Sequence, residues 1–237
     1  MIYKDSLSTH MPLPSGEIHV WFHDVDLAPG AVDDLARTLS SAELAKATRY
    51  HFDADRRRSI VARASLRHHL SRYCGLDPAA ILIRSEQGVK PEAPATGIHF
   101  NVSHAGDLVG IAFSSACPVG FDIERIRPMR DAMSIVNRYF SSEEQQVLAK
   151  AADQDDAFFQ VWTAKEALVK GTGKGLSSEL GAFTVPIGAT TLTPIQTELP
   201  DYSGWRVASV TPPRAGYRAA VAACHPSATI RVTPLEP

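Results

Sequence analysis

Asp122 and Glu124 stand two apart in Val119-Gly120-Phe121-Asp122-Ile123-Glu124, a stretch that reads as a β-strand. Their carboxylates therefore leave one face while Ile123 leaves the other. Carboxylates held side by side repel unless a cation lies between them, and oxygen-only ligands suit Mg²⁺ or Mn²⁺ better than zinc. A strand end with two solvated acids carries the same pattern. Further on, Phe159 to Lys170 reads as a helix in which Val161, Trp162, Lys165 and Leu168 form one stripe, and Glu166 and Lys170, four apart, share the next. A surface ion pair is the plain account of that spacing. His104 follows an extended run, Phe100-Asn101-Val102-Ser103-His104, and precedes a turn-like Ala105-Gly106-Asp107; it either closes hydrogen bonds around the turn or donates to a phosphate. Arg56, Arg57, Arg58, Arg63, Arg67 and Arg72 populate one helix, where most would face solvent and one or two could contact phosphate.

The chain that must position these groups has 237 residues, 44% hydrophobic and 21% charged, an ordinary globular composition that excludes a mostly disordered protein. Its net charge of −2 hides an uneven distribution. Arg37 to Arg72 carries nine Lys or Arg against three acids, whereas Pro118 to Gln160 carries eight acids against five bases. One segment can hold an anion and the other a cation. A sequence pI near 6.5 and the acidic second segment argue against nucleic acid. Cys74, Cys117 and Cys224 lie far apart, which suits neither a disulfide framework nor a cysteine zinc site. The start, MIYKDSLSTHMPLP, lacks a secretory pattern, and the most apolar segment, Leu108 to Ile123, is broken by polar residues and too short to span a bilayer. The expectation is a cytoplasmic protein with no membrane contact.

An internal repeat organises the elements. Leu39-Ser40-Ser41-Ala42-Glu43 returns as Phe140-Ser141-Ser142-Glu143-Glu144, a shift of 101 residues, and Ala62 to Leu66 resembles Ala164 to Leu168 at a shift of 102. Asp24-Val25-Asp26 also resembles Asp122-Ile123-Glu124, at 98. Each half reads as an extended segment (Ile18 to Phe22; Val119 to Ile123), a helix capped by Ser40 or Ser141, and a second helix (Asp55 to Tyr73; Ala157 to Lys170) stopped by Gly75 or Gly171. Short strands follow: Ile81 to Arg84, Ile98 to Val102 and Leu108 to Phe113, then Phe183 to Val185, Trp205 to Val210 and Tyr217 to Ala223. The pattern predicts an α+β fold of two similar halves, residues 1–117 and 118–237, packed as an intramolecular pseudo-dimer with a ligand cleft between them. Ala64 and His68 occupy the first-half positions of Glu166 and Lys170, so the repeat does not impose that pair.

Three blocks in this order resemble the surfactin-synthetase-activating (Sfp-type) class of 4′-phosphopantetheinyl transferases over about Leu39 to Val185. They are Lys90-Pro91 leading to Phe100 to His104; Val119 to Glu124; and Trp162-Thr163-Ala164-Lys165-Glu166-Ala167-Leu168-Val169-Lys170 with Gly173-Lys174-Gly175-Leu176 after it. The resemblance implies a pseudo-symmetric α+β fold. It also implies transfer of the phosphopantetheine arm of coenzyme A to a serine of an apo acyl or peptidyl carrier protein, releasing adenosine 3′,5′-bisphosphate, an activity of the holo-[acyl-carrier-protein] synthase type. Asp122, Glu124 and Glu166 match the ligands of Mg²⁺, with Mn²⁺ as the alternative ion. Lys170 matches the lysine beside the pyrophosphate and His104 a phosphate contact, while Lys46, Arg58, Ser59, Lys90 and Pro91 fall around the 3′-phosphate and adenine, and Ser103 joins the coenzyme A contacts.

Chemistry makes matching demands: neutralise the pyrophosphate, place the nucleophile in line, and stabilise the leaving phosphate. Lys170 with His104 would do the last, and Glu166 would act as base for the serine, directly or through a water. The chain departs from the family at Ala105, where serine is frequent, at Glu43, where some relatives carry lysine, and at the extra Val89 between Gly88 and Lys90. Arg125, Arg127, Arg130 and Arg138 make the stretch from Arg125 to Phe140 a basic surface for an acidic carrier. A molecule already pseudo-dimeric is expected to act as a monomer. Two rival readings are a metal-dependent pyrophosphatase or nucleotide hydrolase, and a non-catalytic module that binds coenzyme A or carriers. Fatty-acid, polyketide and nonribosomal-peptide carriers all remain open as acceptors.

Overall fold

A computed structural model describes residues 10–86, 88–175 and 178–235; Leu176 of the third block lies outside the described residues. In the first half, strand β1 (Glu17–Asp24) is followed by helices α1 (Pro29–Ala36), α2 (Ser41–Ala47) and α3 (Asp53–Cys74), then strands β2 (His99–Ala105) and β3 (Leu108–Ser114). The second half runs β4 (Val119–Arg125), α4 (Ala132–Tyr139), α5 (Ser142–Lys150) and α6 (Gln154–Thr172). After these come three two-residue strands, β5 (Phe183–Thr184), β6 (Thr193–Pro194) and β7 (Gln196–Thr197), and then β8 (Arg206–Val210) and β9 (Tyr217–Ala223). A last strand, β10 (Thr229–Val232), completes the chain's order.

The sheets have the orders β10-β1-β3-β2 and β4-β9-β8-β6, with β5 and β7 paired separately. In each half the opening strand pairs antiparallel with the closing one, β1 with β3 and β4 with β9. This is the pseudo-dimer that the repeat predicts. The last strand breaks the symmetry: β10 crosses to the first sheet and pairs in parallel with β1, Glu17 opposite Thr229.

Four layers result, and the strand period explains them. Trp21, Val109, Ile111 and Phe113 point to α3 and share its core with Ile60, Leu66 and Leu70. Alternate residues Ile18, Val20, Phe22, Leu108 and Ala112 point the other way and meet Val119, Phe121, Ile123, Val221 and Ala223 of the second sheet. A third core lies between that sheet and α6, built on Phe158, Val161, Leu168, Trp205 and Ala222. Buried on both faces, β3 is apolar from Leu108 to Phe113 rather than alternating. A Cβ at Gly110 would sit 2.3 Å from the Phe121 ring, so glycine admits the ring across the seam. No helix among the described residues is long and apolar enough to cross a membrane.

The repeated Ser-x-x-Glu pair forms a capping box at the start of both α2 and α5. Each capping glutamate also binds a buried cation from the long helix behind it. Arg67 Nε and Nη2 donate to Glu43 at 2.9 and 3.1 Å, and Lys165 Nζ lies 2.8 Å from Glu144. Those cations then reach carbonyls at matching positions: Arg67 donates to Pro78 and Ile81, and Lys165 to Leu180 and Phe183. Arg67 is thus a buried structural arginine rather than part of a solvated face, and Glu43 is the symmetry mate of Glu144.

Two expected boundaries shift. Gly171 does not end α6; the helix runs on to Thr172, and Gly173, with φ of 74°, caps it as Gly75, φ 73°, caps α3. Gly171 is instead a contact glycine, since a Cβ there would lie 2.4 Å from the Trp205 ring. Ile81 to Arg84 forms no strand: only Arg84 bridges, to Glu92, because Ile81 turns inward while its carbonyl serves Arg67.

Candidate active site

The acids and bases converge where β4 and α6 of the second half meet the end of β2 from the first. Gly120, Asp122 and Glu124 share the face of β4 that looks at α6. The approach is close because a Cβ on Gly120 would fall 1.8 Å from the Ala167 carbonyl oxygen of α6. Asp122 is buried, and its Oδ1 accepts from Lys170 Nζ at 2.5 Å and from Ser103 Oγ at 2.8 Å. Lys170 Nζ also donates to Ser103 Oγ at 3.0 Å. One step back along β2, Asn101 Oδ1 accepts from the Phe121 N–H at 2.9 Å, a second bond fixing β2 against β4. Ser103 is therefore a bridge between halves as well as a neighbour of the acids.

Charge is unbalanced here. Burial, then the neighbouring Asp122, pushes Glu166 up to about 7, with Lys170 opposing and Glu124 adding to the rise. Burial and Asp122 likewise raise Glu124, although Arg127 partly offsets them. Burial raises Asp122 despite its ion pair with Lys170. Three carboxyl groups thus face one ammonium, Lys170, while the exposed Arg127 guanidinium pairs with Glu124. Asp122 Oδ2 and Glu166 Oε1 are buried without a hydrogen-bond partner among the described residues, which marks a place short of positive charge. The donor set is oxygen-only and suits a hard divalent cation. No group of three or more His, Cys, Asp or Glu among the described residues is placed so that it could hold a metal ion; Lys170 holds Asp122 instead.

Beside the acids, the first half opens a cleft of about 290 Å³. Lys46, Arg58, Ser59, Pro91 and His104, all named from the sequence, line it. Arg58 is fixed by Asp55 through Nη1 at 2.8 Å and by the Gly106 carbonyl. His104 belongs to the end of β2 rather than the turn after it, and desolvation followed by the charge of Arg58 lowers its pKa. Lys90 goes elsewhere: Nζ donates to the carbonyls of Val119 at 2.7 Å and Gly171 at 3.2 Å, and burial pushes it down to about 8. It ties the first half to the end of α6 and borders a separate cavity of about 500 Å³ with His99 and Gly173.

Of the helix arginines named from the sequence, Arg63 joins Arg58 at the cleft, and Tyr50 lines it without having been named. Arg63 lines the cleft and lies 3.5 Å from Glu43, while its Nη1 is buried without a partner among the described residues. Helical spacing carried the signal, since 58, 59, 62, 63 and 66 fall on one face of α3. Tyr50, half exposed at the cleft mouth, had none. The basic stretch after β4 is only partly loop, because α4 occupies much of it. Within it Arg127 binds Glu124 at 3.3 Å and covers the Phe159 ring.

A family model described as the 4′-phosphopantetheinyl transferase superfamily matches residues 118–222, and one described as 4′-phosphopantetheinyl transferase, N-terminal, matches residues 30–116. The chain is similar to the 4′-phosphopantetheinyl transferase HetI of Nostoc sp. (strain PCC 7120), 36% identical over 174 residues, covering 71% of this chain and 73% of that protein. It is 34% identical to the 4′-phosphopantetheinyl transferase psf-1 of Bacillus pumilus over 207 residues, 85% of each chain. With the 4′-phosphopantetheinyl transferase Sfp of Bacillus subtilis (strain 168) it shares 35% identity over 191 residues, 79% of this chain and 83% of that one.

Proposed function

The chain belongs to the 4′-phosphopantetheinyl transferase superfamily, and on that premise we propose that it moves the phosphopantetheine arm of coenzyme A onto a serine of an apo acyl or peptidyl carrier protein. The observation that carries this reading is the pairing of a cation-lined cleft on one half with an acid trio on the other in which Asp122 Oδ2 and Glu166 Oε1 are buried without a hydrogen-bond partner among the described residues.

The serine oxygen bonds to the phosphorus that bears the pantetheine arm. The bond from that phosphorus to the bridging oxygen breaks, and its electron pair leaves with adenosine 3′,5′-bisphosphate. Glu166 Oε1, an acceptor with nothing bound to it among the described residues, takes the serine proton. Lys170 Nζ donates to the departing phosphate oxygen, with Ser103 and Asp122 holding the ammonium in place. At the cleft, Arg58, Lys46 and Ser59 hold the adenosine end and its 3′-phosphate, His104 contacts phosphate, and Pro91 walls the base. Bound by Asp122, Glu124 and Glu166, a divalent cation, Mg²⁺ or Mn²⁺, would neutralise the pyrophosphate.

The same reading assigns coenzyme A binding to residues 1–117 and the acid trio to 118–237. It makes the protein a cytoplasmic monomer of the holo-[acyl-carrier-protein] synthase type, with no nucleic-acid or membrane partner, and gives the exposed arginines 125, 127, 130 and 138 to carrier docking. Intact-mass measurement on a panel of apo carriers, with coenzyme A and Mg²⁺, is the test. A carrier gaining the arm supports the reading, whereas hydrolysis of coenzyme A without an acceptor replaces it with the pyrophosphatase alternative. Glu166→Gln is expected to keep coenzyme A binding and lose transfer; undiminished turnover removes Glu166 from the role of base.

A further inference from the structure

A cluster that the reaction above does not use ties the two halves together at one rim. Arg214, in the turn between β8 and β9, pairs with Asp24 at the end of β1 and with Asp107 in the β2–β3 turn. The Tyr217 hydroxyl donates to the same Asp107 carboxylate. The main chain of Asp107 is gripped too. Val25 N–H donates to its carbonyl at 2.8 Å, and its own N–H reaches Tyr217 Oη at 3.4 Å. Next to it, Gly106 has φ of 54°, and a Cβ there would lie 2.4 Å from that hydroxyl.

This turn leads into the cleft. The Gly106 carbonyl accepts from Arg58 Nε at 3.1 Å and Nη2 at 2.9 Å, and His104 is two residues earlier on β2. At its other end the cluster rests on the acid strand, because β9 is bonded along the whole of β4, with Tyr217 opposite Arg125 and Arg218 opposite Glu124. A path of direct contacts therefore runs from the strand of Asp122 and Glu124, through Tyr217 and Asp107, to Gly106 and Arg58.

We propose that Tyr217 and Arg214 are positioning residues that set the separation between the anion-binding edge at Arg58 and His104 and the acid trio. The proposal rests on the transferase reading, in which one ligand with a 3′-phosphate at its adenosine end and a pyrophosphate further along must touch both edges at once. Neither residue lines the cleft, so each acts through Asp107.

The test compares Tyr217→Phe, Arg214→Ala and Arg214→Lys with the wild type, and with Arg37→Ala, which breaks an exposed pair with Asp34. Calorimetry measures coenzyme A binding, steady-state kinetics gives KM for coenzyme A and for an apo carrier, and thermal unfolding reports stability. Arg214→Ala is expected to weaken coenzyme A binding and raise its KM by on the order of tenfold, with the carrier KM unchanged. Tyr217→Phe shows a smaller effect of the same kind, and Arg214→Lys restores most of the loss. Lower Tm with unaltered coenzyme A affinity overturns the proposal, as does an equal rise in both KM values. If the wild type binds coenzyme A but transfers nothing, the transferase reading fails while the calorimetric comparison still decides the positioning role.

Discussion

Lys165→Met is expected to cost about 3–5 kcal/mol of folding stability, the usual loss when one member of a buried ion pair is removed. Lys165 and Glu144 are both fully buried, 2.8 Å apart. Methionine keeps the length of the side chain but leaves the Leu180 and Phe183 carbonyls without their donor and the Glu144 carboxylate without its cation. That carboxylate still accepts from the Ser141 and Val185 N–H groups, which offsets part of the loss and places the expectation within that range. The double variant Lys165→Met with Glu144→Gln removes the uncompensated charge, so its cost should fall below the sum of the single costs by at least about 1–2 kcal/mol. Urea titration at constant pH reads this as a lower midpoint with an unchanged slope. Arg67→Met provides the internal comparison: Arg63 stays 3.5 Å from Glu43 as a second cation, so the first-half loss should be the smaller one. A Lys165→Met protein within about 1 kcal/mol of wild type, or a larger loss for Arg67→Met, would refute the reasoning.

Gly120→Ala should destabilise by about 3 kcal/mol or more and depress transfer as well, because the new methyl meets the Ala167 and Gly171 backbone and must push α6 off the strand of Asp122; thermal unfolding near that of wild type contradicts this. Acidification should loosen the first half. Burial holds His23 down to about 3 and His68 to about 4, and holds His69 well below the ordinary value, so the folded state keeps them neutral while the unfolded chain protonates near 6.5. Stability is then complete above about pH 7 and falls as pH drops through 6.5 toward 4, by about 1.5 kcal/mol each from His23 and His68 between pH 6.5 and 5, with His69 acting in the same direction. Urea midpoints equal at pH 7.5 and 5 would show that these imidazoles gain no protons on unfolding.

What the sequence made legible was local or periodic. A D-x-E on a strand puts both acids on one face, and both are found on the face of β4 toward α6. Repeated Ser-x-x-Glu caps revealed the two halves before any contact was visible, and both capping boxes are formed. The third apparent match misled: Asp24 ends β1 and pairs with Arg214, whereas Asp122 sits mid-strand among the acids. Only the family resemblance places Lys90 around the 3′-phosphate and adenine, and in the fold its ammonium donates to carbonyls 29 and 81 residues away. Gly171 looked like a helix stop, since a glycine ending a helix and a glycine admitting an aromatic ring are the same letter. Arg67 looked solvated because nothing near it in sequence announces Glu43, Pro78 and Ile81 as partners. Each miss is a pairing between distant segments, for which neither propensity nor period leaves a mark.

The parallel pairing of β10 with β1 fixes an order of events. Residues 17–20 receive their edge partner only from residues 229–232. During synthesis the first sheet has one uncovered flank until residues 229–232 have been made. Closing so long a loop is entropically slow, and an open strand edge invites other chains while it waits. The first sheet is thus completed only by a segment made after every other strand of both sheets.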